Sequence, residues 1–402
     1  MKNIFLLISL FFIISCGSDD AVEPEQEMEG VIIPDDQEEE EEEEPDDENT
    51  TDFSIPDIVV VGESFDDNLS LFMMQWDQDY SNSTVTDIEA QINILNPSVL
   101  SSSGESFFIK ELGNNNPDIF KYDLNNTIPE VYSYDTYFSD NTDDTSVSIR
   151  NARTNYLSGY FFDGNSPGFS ESIYTYNIAT GVSKTALLEN IDFGLTKIFN
   201  SYVVSLGSEF SNSQETILHI FSPETEQETL LPFNEYSTVV YNNLTNELFL
   251  FKGSGFITDY DIFNLDSFEI TGSASLQAAI LLFGVFPDAY FYQDKMFYGG
   301  VEASPAGGNQ TPAVYDFSLG EKLVFDPFLM LTAISDAGIP IEAILSMNLD
   351  LTTETIVVGF QKDGIYGQNE DSGGVAFLTY GYEIKRIIET GNVQTENVIL
   401  KD

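Results

Sequence analysis

From about Ile58 onward the chain alternates short apolar runs rich in Val, Ile, Phe and Tyr with clusters of Asn, Asp, Gly, Ser and Pro. Short runs at regular spacing with turn residues between them predict strands joined by tight connections, as in a sandwich, barrel or propeller, rather than alternating strand–helix units. Helical periodicity is nearly absent. The best candidate for a short helix is Ser273 to Leu282, where Leu276, Ala279 and Ile280 fall at helical spacing, with a buried strand as the alternative.

The runs also repeat. Ile119-Phe120-Lys121-Tyr122-Asp123-Leu124, Ile173-Tyr174-Thr175-Tyr176-Asn177-Ile178, Leu218-His219-Ile220-Phe221-Ser222-Pro223, Ile262-Phe263-Asn264-Leu265-Asp266-Ser267 and Val314-Tyr315-Asp316-Phe317-Ser318-Leu319 share one pattern. Each has an apolar residue, a large residue three positions on, and Asp, Asn or Ser at a turn. The large residues Tyr122, Tyr176, Phe221, Leu265 and Phe317 recur roughly every 45 to 55 residues, the length of one four-stranded propeller blade. A weaker sixth copy lies at Ala376 to Tyr380.

Before each copy stands another apolar run: Ser106 to Ile109, Tyr156 to Phe162, Tyr202 to Leu206, Leu248 to Phe251, Met296 to Tyr298 and Ile356 to Phe360. Shorter outer strands follow, as at Glu130 to Tyr134 and Glu228 to Leu231. One such sheet cannot cover both of its apolar faces, so stacking copies in a ring supplies the missing contacts. Six repeats fit between about Ile92 and Thr390, and the flanks, Leu69 to Trp76 and Thr84 to Ala90 with Asn397 to Leu400, can pair into a composite seventh. The predicted fold is therefore an all-β propeller of seven four-stranded blades, with six or eight blades and a pair of β-sandwiches as alternatives.

Tyr176-Asn177-Ile178-Ala179-Thr180-Gly181, a strand ending in Asn and a Thr-Gly turn, resembles the repeats of YncE-like and kelch-like propellers. The Gly-His and Trp-Asp pairs of WD40 repeats do not recur along the chain, so the resemblance implies the architecture and no particular ligand.

The N-terminus changes where this ring is expected to sit. Met1-Lys2-Asn3 precedes an apolar run from Ile4 to Ile14, too short for the ~20 residues of a membrane-spanning helix and suited to a secretory signal. Ile13-Ile14-Ser15-Cys16 resembles a bacterial lipobox, in which the Cys is lipidated and becomes the new N-terminus. Cys16 is the chain's only cysteine. The resemblance implies a signal peptide over 1–15 and a membrane anchor at Cys16, where several acyl chains give durable attachment at ~0.8 kcal/mol per buried methylene. Gly17-Ser18-Asp19-Asp20 is similar to the acidic stretch after the lipidated Cys in surface-exported lipoproteins of the Bacteroidetes type, which implies display on the outer face of an outer membrane, with a periplasm-facing position as the alternative.

Residues 16–57 read as a tether and 58–402 as the propeller. From Asp19 to Asp57 there is no Lys or Arg, Glu38 to Glu44 is an unbroken acidic run, and Pro24, Pro34, Pro45 and Pro56 recur. Like-charge repulsion with few apolar groups cannot offset the entropy of folding, which predicts a disordered, self-extended linker.

The whole chain of 402 residues carries 68 acidic and 14 basic side chains, a formal net charge of −54. That sign excludes nucleic acid as a partner, because affinity for it comes largely from Lys and Arg on phosphates. It favours solubility, cations and basic partners, and a monomer is expected. One Cys cannot form an internal disulfide, and one His with one Cys leaves little for zinc or iron–sulfur chemistry.

Candidate chemistry is sparse. His219, the single imidazole, lies among apolar neighbours and reads as a packed strand residue, which removes a serine triad from consideration. Paired carboxylates ~5 to 9 Å apart would suit a glycoside hydrolase or polysaccharide lyase, but pairs are abundant in so acidic a chain. Calcium is a possible ligand: Asp77, Asp79 and Ser81 in Asp77-Gln78-Asp79-Tyr80-Ser81-Asn82 place oxygens at alternate positions, without the Gly and Glu that complete an EF-hand loop. Asp140 to Asp144 and Asn369 to Asp371 are similar acidic loops. Trp76 offers a stacking face for a sugar, with a core role as the alternative. The leading functional expectation is a non-enzymatic binding or interaction propeller engaging a ligand or an outer-membrane protein; the alternatives are a carboxylate-dependent hydrolase or lyase and a calcium-stabilised adhesion protein.

Overall fold

The computed structural model describes residues 54–401 apart from 65–69, 95, 103–104, 113–116, 140–144, 154, 164–171, 187–190, 210–211, 254–255, 283, 301–310 and 363–371. Cys16, the lipobox-like segment, nearly all of the tether and the acidic loops 140–144 and 369–371 lie outside the described residues.

Seven four-stranded antiparallel sheets form the ring of a β-propeller. In six of them the strands follow one another outward in chain order. Their innermost strands are Pro97–Ser102, Thr145–Arg153, Ile191–Phe199, Tyr236–Asn242, Ala289–Tyr292 and Ile341–Asp350. We number these blades one to six. The repeated motifs are the third strands of blades one to six, and the apolar runs before them are the second strands.

Blade seven is composite. Its inner strand, Asn397–Leu400, pairs with Ile58–Glu63, followed outward by Leu71–Trp76 and Ser83–Asp87. The register Ile58↔Leu400, Val59↔Ile399, Val60↔Val398 and Val61↔Asn397 joins the two ends of the ring. The hydrogen bonds Gln394 N to Glu63 O and Lys401 N to Asp57 O, each 2.9 Å, continue the seam at both ends of this pairing.

The Ile58–Glu63 strand shows why the blades stack. Successive side chains of a strand point to opposite faces. Val59 and Val61 pack toward blade one with Phe107, Ile109 and Tyr122, whereas Ile58 and Val60 pack toward blade six with Val357, Val375 and Phe377. All four are buried. The same arrangement recurs around the ring, with one hydrophobic cluster at each of the seven blade–blade contacts. Stability therefore comes from seven repeated interfaces.

Two expectations need correction. Ser273 to Leu282 is not a helix; it belongs to Glu269–Leu281, the long outer strand of blade four. Leu276 and Ile280 are four apart, a spacing that fits both periods, and Ala274 and Ala278 join them on the face packed toward blade five. Period two wins because the outer edge of a blade must still cover its neighbour. Thr84 to Ala90 is not one strand either. The strand stops at Asp87, whose carboxylate accepts from Ala90 N (2.9 Å) and caps the short helix Ile88–Ile92.

A longer helix, Pro327–Asp336, interrupts the predicted succession of strands. Asp326 Oδ1 accepts from Phe328 N (2.9 Å), and Pro327 occupies the first turn, where its missing N–H costs nothing. Phe325, Met330 and Ile334 seal the space between blades five and six.

Candidate functional site

Because each inner strand runs the same way along the ring axis, their C-terminal ends meet at one mouth. All seven contribute to a cavity of about 750 Å³ there. Ser102, Arg153, Lys197 with Phe199, Tyr241, Tyr292, Asp350 and Leu400 come from the inner strands of blades one to seven in turn, and Asn243, Asp288, Thr353, Pro56 and Lys401 from adjoining segments. A pocket of this size suits a small ligand of a few rings.

The apolar part of the lining combines aromatic rings with aliphatic side chains such as Leu351 and Val398. Phe199 stacks on Tyr241 with ring centroids 5.3 Å apart, and Tyr290 tilts against Phe297 at 5.0 Å. These rings belong to blade–blade clusters, so the core itself holds the pocket floor rigid. Tyr290 also donates its hydroxyl to Leu349 O, which ties blade five to blade six at the rim.

The polar part includes three cations, Arg153, Lys197 and Lys401, and two carboxylates, Asp288 and Asp350. Lys197 Nζ lies 2.9 Å from Asp288 Oδ1. Burial pushes the Tyr241 phenol up, and the Arg153 guanidinium opposes that shift, so Arg153 faces the same floor. The Asp350 carboxylate turns into its own loop, accepting from Thr352 N (3.0 Å), Thr353 N (3.2 Å) and Thr353 Oγ1.

Two carboxyl groups meet at the opposite end of the ring. Register places Glu63 and Glu396 there, at the far end of the seam from Leu400. Partial desolvation and the neighbouring Glu63 carboxylate raise the pKa of Glu396. Two lysines at this end are paired, Lys252 with Asp261 (2.7 Å) and Lys362 with Glu389 (2.6 Å), whereas Lys110 donates to the Ile149 carbonyl (3.1 Å).

Asp77, Asp79 and Ser81 sit elsewhere, in the exposed hairpin between the two outer strands of blade seven. Asp77 accepts from Asn82 N (3.1 Å), Asn82 Nδ2 (2.8 Å) and Ser81 Oγ (3.0 Å), while Asp79 accepts from Ser81 N (3.0 Å). These bonds favour the charged form and hold the Asp77 carboxyl well below its ordinary range. Among the described residues, no group of three or more His, Cys, Asp or Glu side chains is arranged to hold a metal ion.

Trp76 is half-buried at the start of this hairpin. Its ring lies 6.1 Å from that of Tyr80, and both line a shallow cleft with Arg386 and Glu389. The guanidinium of Arg386 sits over the Tyr80 ring at 5.3 Å. One edge of Trp76 thus serves the contact between blades six and seven, and the rest faces the cleft.

No family model matches the chain, and no curated protein matches it. Among solved structures it is similar to a prolyl endopeptidase at 12% identity, covering 76% of this chain and 45% of that one with a TM-score of 0.45. The chain thus spans less than half the length of that enzyme. It is also similar to TolB from Acinetobacter baumannii at 10% identity, covering 86% of this chain and 82% of that one with a TM-score of 0.36. A quinoprotein alcohol dehydrogenase-like protein from Bacteroides thetaiotaomicron VPI-5482 is 11% identical, with 86% of this chain and 78% of that one covered at a TM-score of 0.42. The propeller itself is established by the sheet order and seven-fold packing described above.

His219 lies away from both mouths, on the third strand of blade three, fully buried. Its Nε2 is 3.0 Å from Glu228 Oε2, and its ring lies between Phe193 and Phe221; Nδ1 has no protein partner among the described residues. Burial lowers its pKa below the ordinary 6.5, and the Glu228 contact opposes this only in part. The folded protein therefore resists a proton that the unfolded chain accepts. This contribution to stability is complete above pH 6.5 and declines as pH falls through that value. A His219→Leu variant is expected to lose less stability than the parent between about pH 7.5 and about pH 5 in parallel urea titrations. Equal slopes for the two proteins would contradict a neutral buried imidazole.

Proposed function

We propose that this chain is a lipid-anchored outer-membrane protein, displayed on the cell surface through Cys16, whose propeller binds a ligand or a partner protein at the mouth of the ring without transforming it. The observation that carries the binding part is the cavity of about 750 Å³, built from all seven inner strands with an aromatic floor and a polar rim. Such a floor offers a desolvated, pre-formed surface, and its rigidity lowers the entropy lost on binding. The anchoring part is supported by Ile13-Ile14-Ser15-Cys16 and by the placement there of the only cysteine in the chain.

A second reading, a carboxylate-dependent glycoside hydrolase or lyase, draws on Glu396 beside Glu63. A carboxyl of raised pKa beside a second carboxyl is an arrangement that acid–base cleavage of a glycosidic bond uses.

Both parts are testable. In cells fed labelled fatty acid, the full chain is expected to become labelled and the Cys16→Ser variant to stay unlabelled; label on both, or on neither, removes the anchor. The chain produced from Gly17 onward, applied to glycan and peptide arrays, is expected to retain a ligand unchanged. Release of cleaved product that Glu396→Gln abolishes would establish the enzyme instead.

A further inference from the structure

The chain has 68 acidic and 14 basic side chains, and several of its cations sit on a carboxylate, as Lys184 does on Glu226 and Lys295 on Glu354. The mouth gathers three cations in one place. Arg153, Lys197 and Lys401 all line the one cavity. Lys197 is paired with Asp288, but among the described residues neither the Arg153 guanidinium nor the Lys401 ammonium has a carboxylate partner. The other acid of the lining, Asp350, is bonded into its own turn.

A concave site with an excess of one charge and low-dielectric walls focuses its field into the opening. A guanidinium presents a planar fork that matches a carboxylate or sulfate with two parallel hydrogen bonds. Beside this fork lies the Phe199–Tyr241 stack, with Tyr292 and Asn243 further round the rim. The arrangement asks for a ligand with an acidic group at one edge and an uncharged ring body.

We propose that this mouth binds a ring-bearing organic anion, a carboxylated or sulfated sugar or an aromatic acid, with its acidic group on Arg153 and Lys401 and its body against the Phe199–Tyr241 floor. This rests on the binding reading above and narrows its ligand.

The test is calorimetric titration of the chain from Gly17 onward with trigalacturonate, a heparin-derived sulfated disaccharide, 4-hydroxybenzoate and, as the uncharged control, galactotriose. At least one anion is expected to bind, with affinity falling as salt is raised, and galactotriose is expected not to. Which anion binds separates the sugar source from the aromatic one. Arg153→Gln is expected to weaken binding by about tenfold or more and Lys401→Gln by less, while Lys184→Gln on the outer strand of blade two changes nothing. An unchanged urea midpoint shows that the Arg153 variant is folded, and the salt dependence reports on charge without any variant. Equal binding of galactotriose, or indifference to both Arg153→Gln and salt, overturns the anion assignment and leaves the binding reading standing. Silence from all three anions also overturns it; only a blank array removes the binding reading itself.

Discussion

Removing residues 397–402 is expected to convert the ring into an open, aggregation-prone array with most of its stability gone. The lost strand carries Val398 and Ile399, 4% and 6% exposed, which contact blade six on one face and blade one on the other. Full burial of such a side chain contributes ~1.5–3 kcal/mol, so the pair accounts for roughly 3–6 kcal/mol out of the ~5–15 kcal/mol that holds a typical domain. The deletion also bares the hydrogen-bonding edge of Ile58-Val59-Val60-Val61, an apolar strand with nothing to discourage pairing between molecules. Urea titration should show a much lower midpoint, and gel filtration should show oligomers. Val398→Ala combined with Ile399→Ala keeps the strand and should lose a similar amount of stability without oligomers. A truncated chain that unfolds at the parental midpoint as a monomer would show that closure contributes nothing.

That seam is legible in the sequence because both of its halves are apolar runs at the ends of the folded region. The second and third strands of each blade were equally plain. They are covered on both faces, so Leu248-Phe249-Leu250-Phe251 and its counterparts stand out against the turns. Inner strands are harder to see. One edge faces the channel, and Pro97-Ser98-Val99-Leu100-Ser101-Ser102 therefore mixes polar and apolar positions without a clean period. The helix Pro327–Asp336 announced itself only by Asp326-Pro327, a start signal that also begins many turns.

The site was much less legible than the fold, for a reason of topology. Local reading selected Asp77, Asp79, Ser81 and Trp76 because they adjoin in sequence, and the structure places them in one outer hairpin. The mouth is assembled from residues at seven strand ends and their adjoining segments, with Arg153 in blade two and Lys401 beyond blade seven. Their spacing follows the blade period and not any local motif. A search for basic residues at the ends of predicted inner strands would have found Arg153, given the register.

Gly62→Ala is expected to be the most damaging single-methyl addition in the seam. A β carbon built on Gly62 would lie 1.8 Å from Gln394 O and 2.8 Å from Gln394 C, both of them backbone atoms that no rotamer change can move. The chain around Gln394 must therefore shift, and with it the hydrogen bond from Gln394 N to Glu63 O that secures this end of the closure. Overpacking costs ~1–3 kcal/mol and a lost hydrogen bond ~0.5–1.5 kcal/mol, so a loss of roughly 2–4 kcal/mol is anticipated. Gly299→Ala is the matched control. It too lies in a strand, but its added methyl would meet nothing within 4 Å, so the change should be neutral or slightly stabilising through reduced freedom of the unfolded chain. Urea midpoints of the two variants measured side by side separate steric closure from strand propensity. If both shift alike, the strand Ile58–Glu63 does not approach the segment around Gln394 as closely as the seam requires, and the tight joining of the first and last strands fails with it.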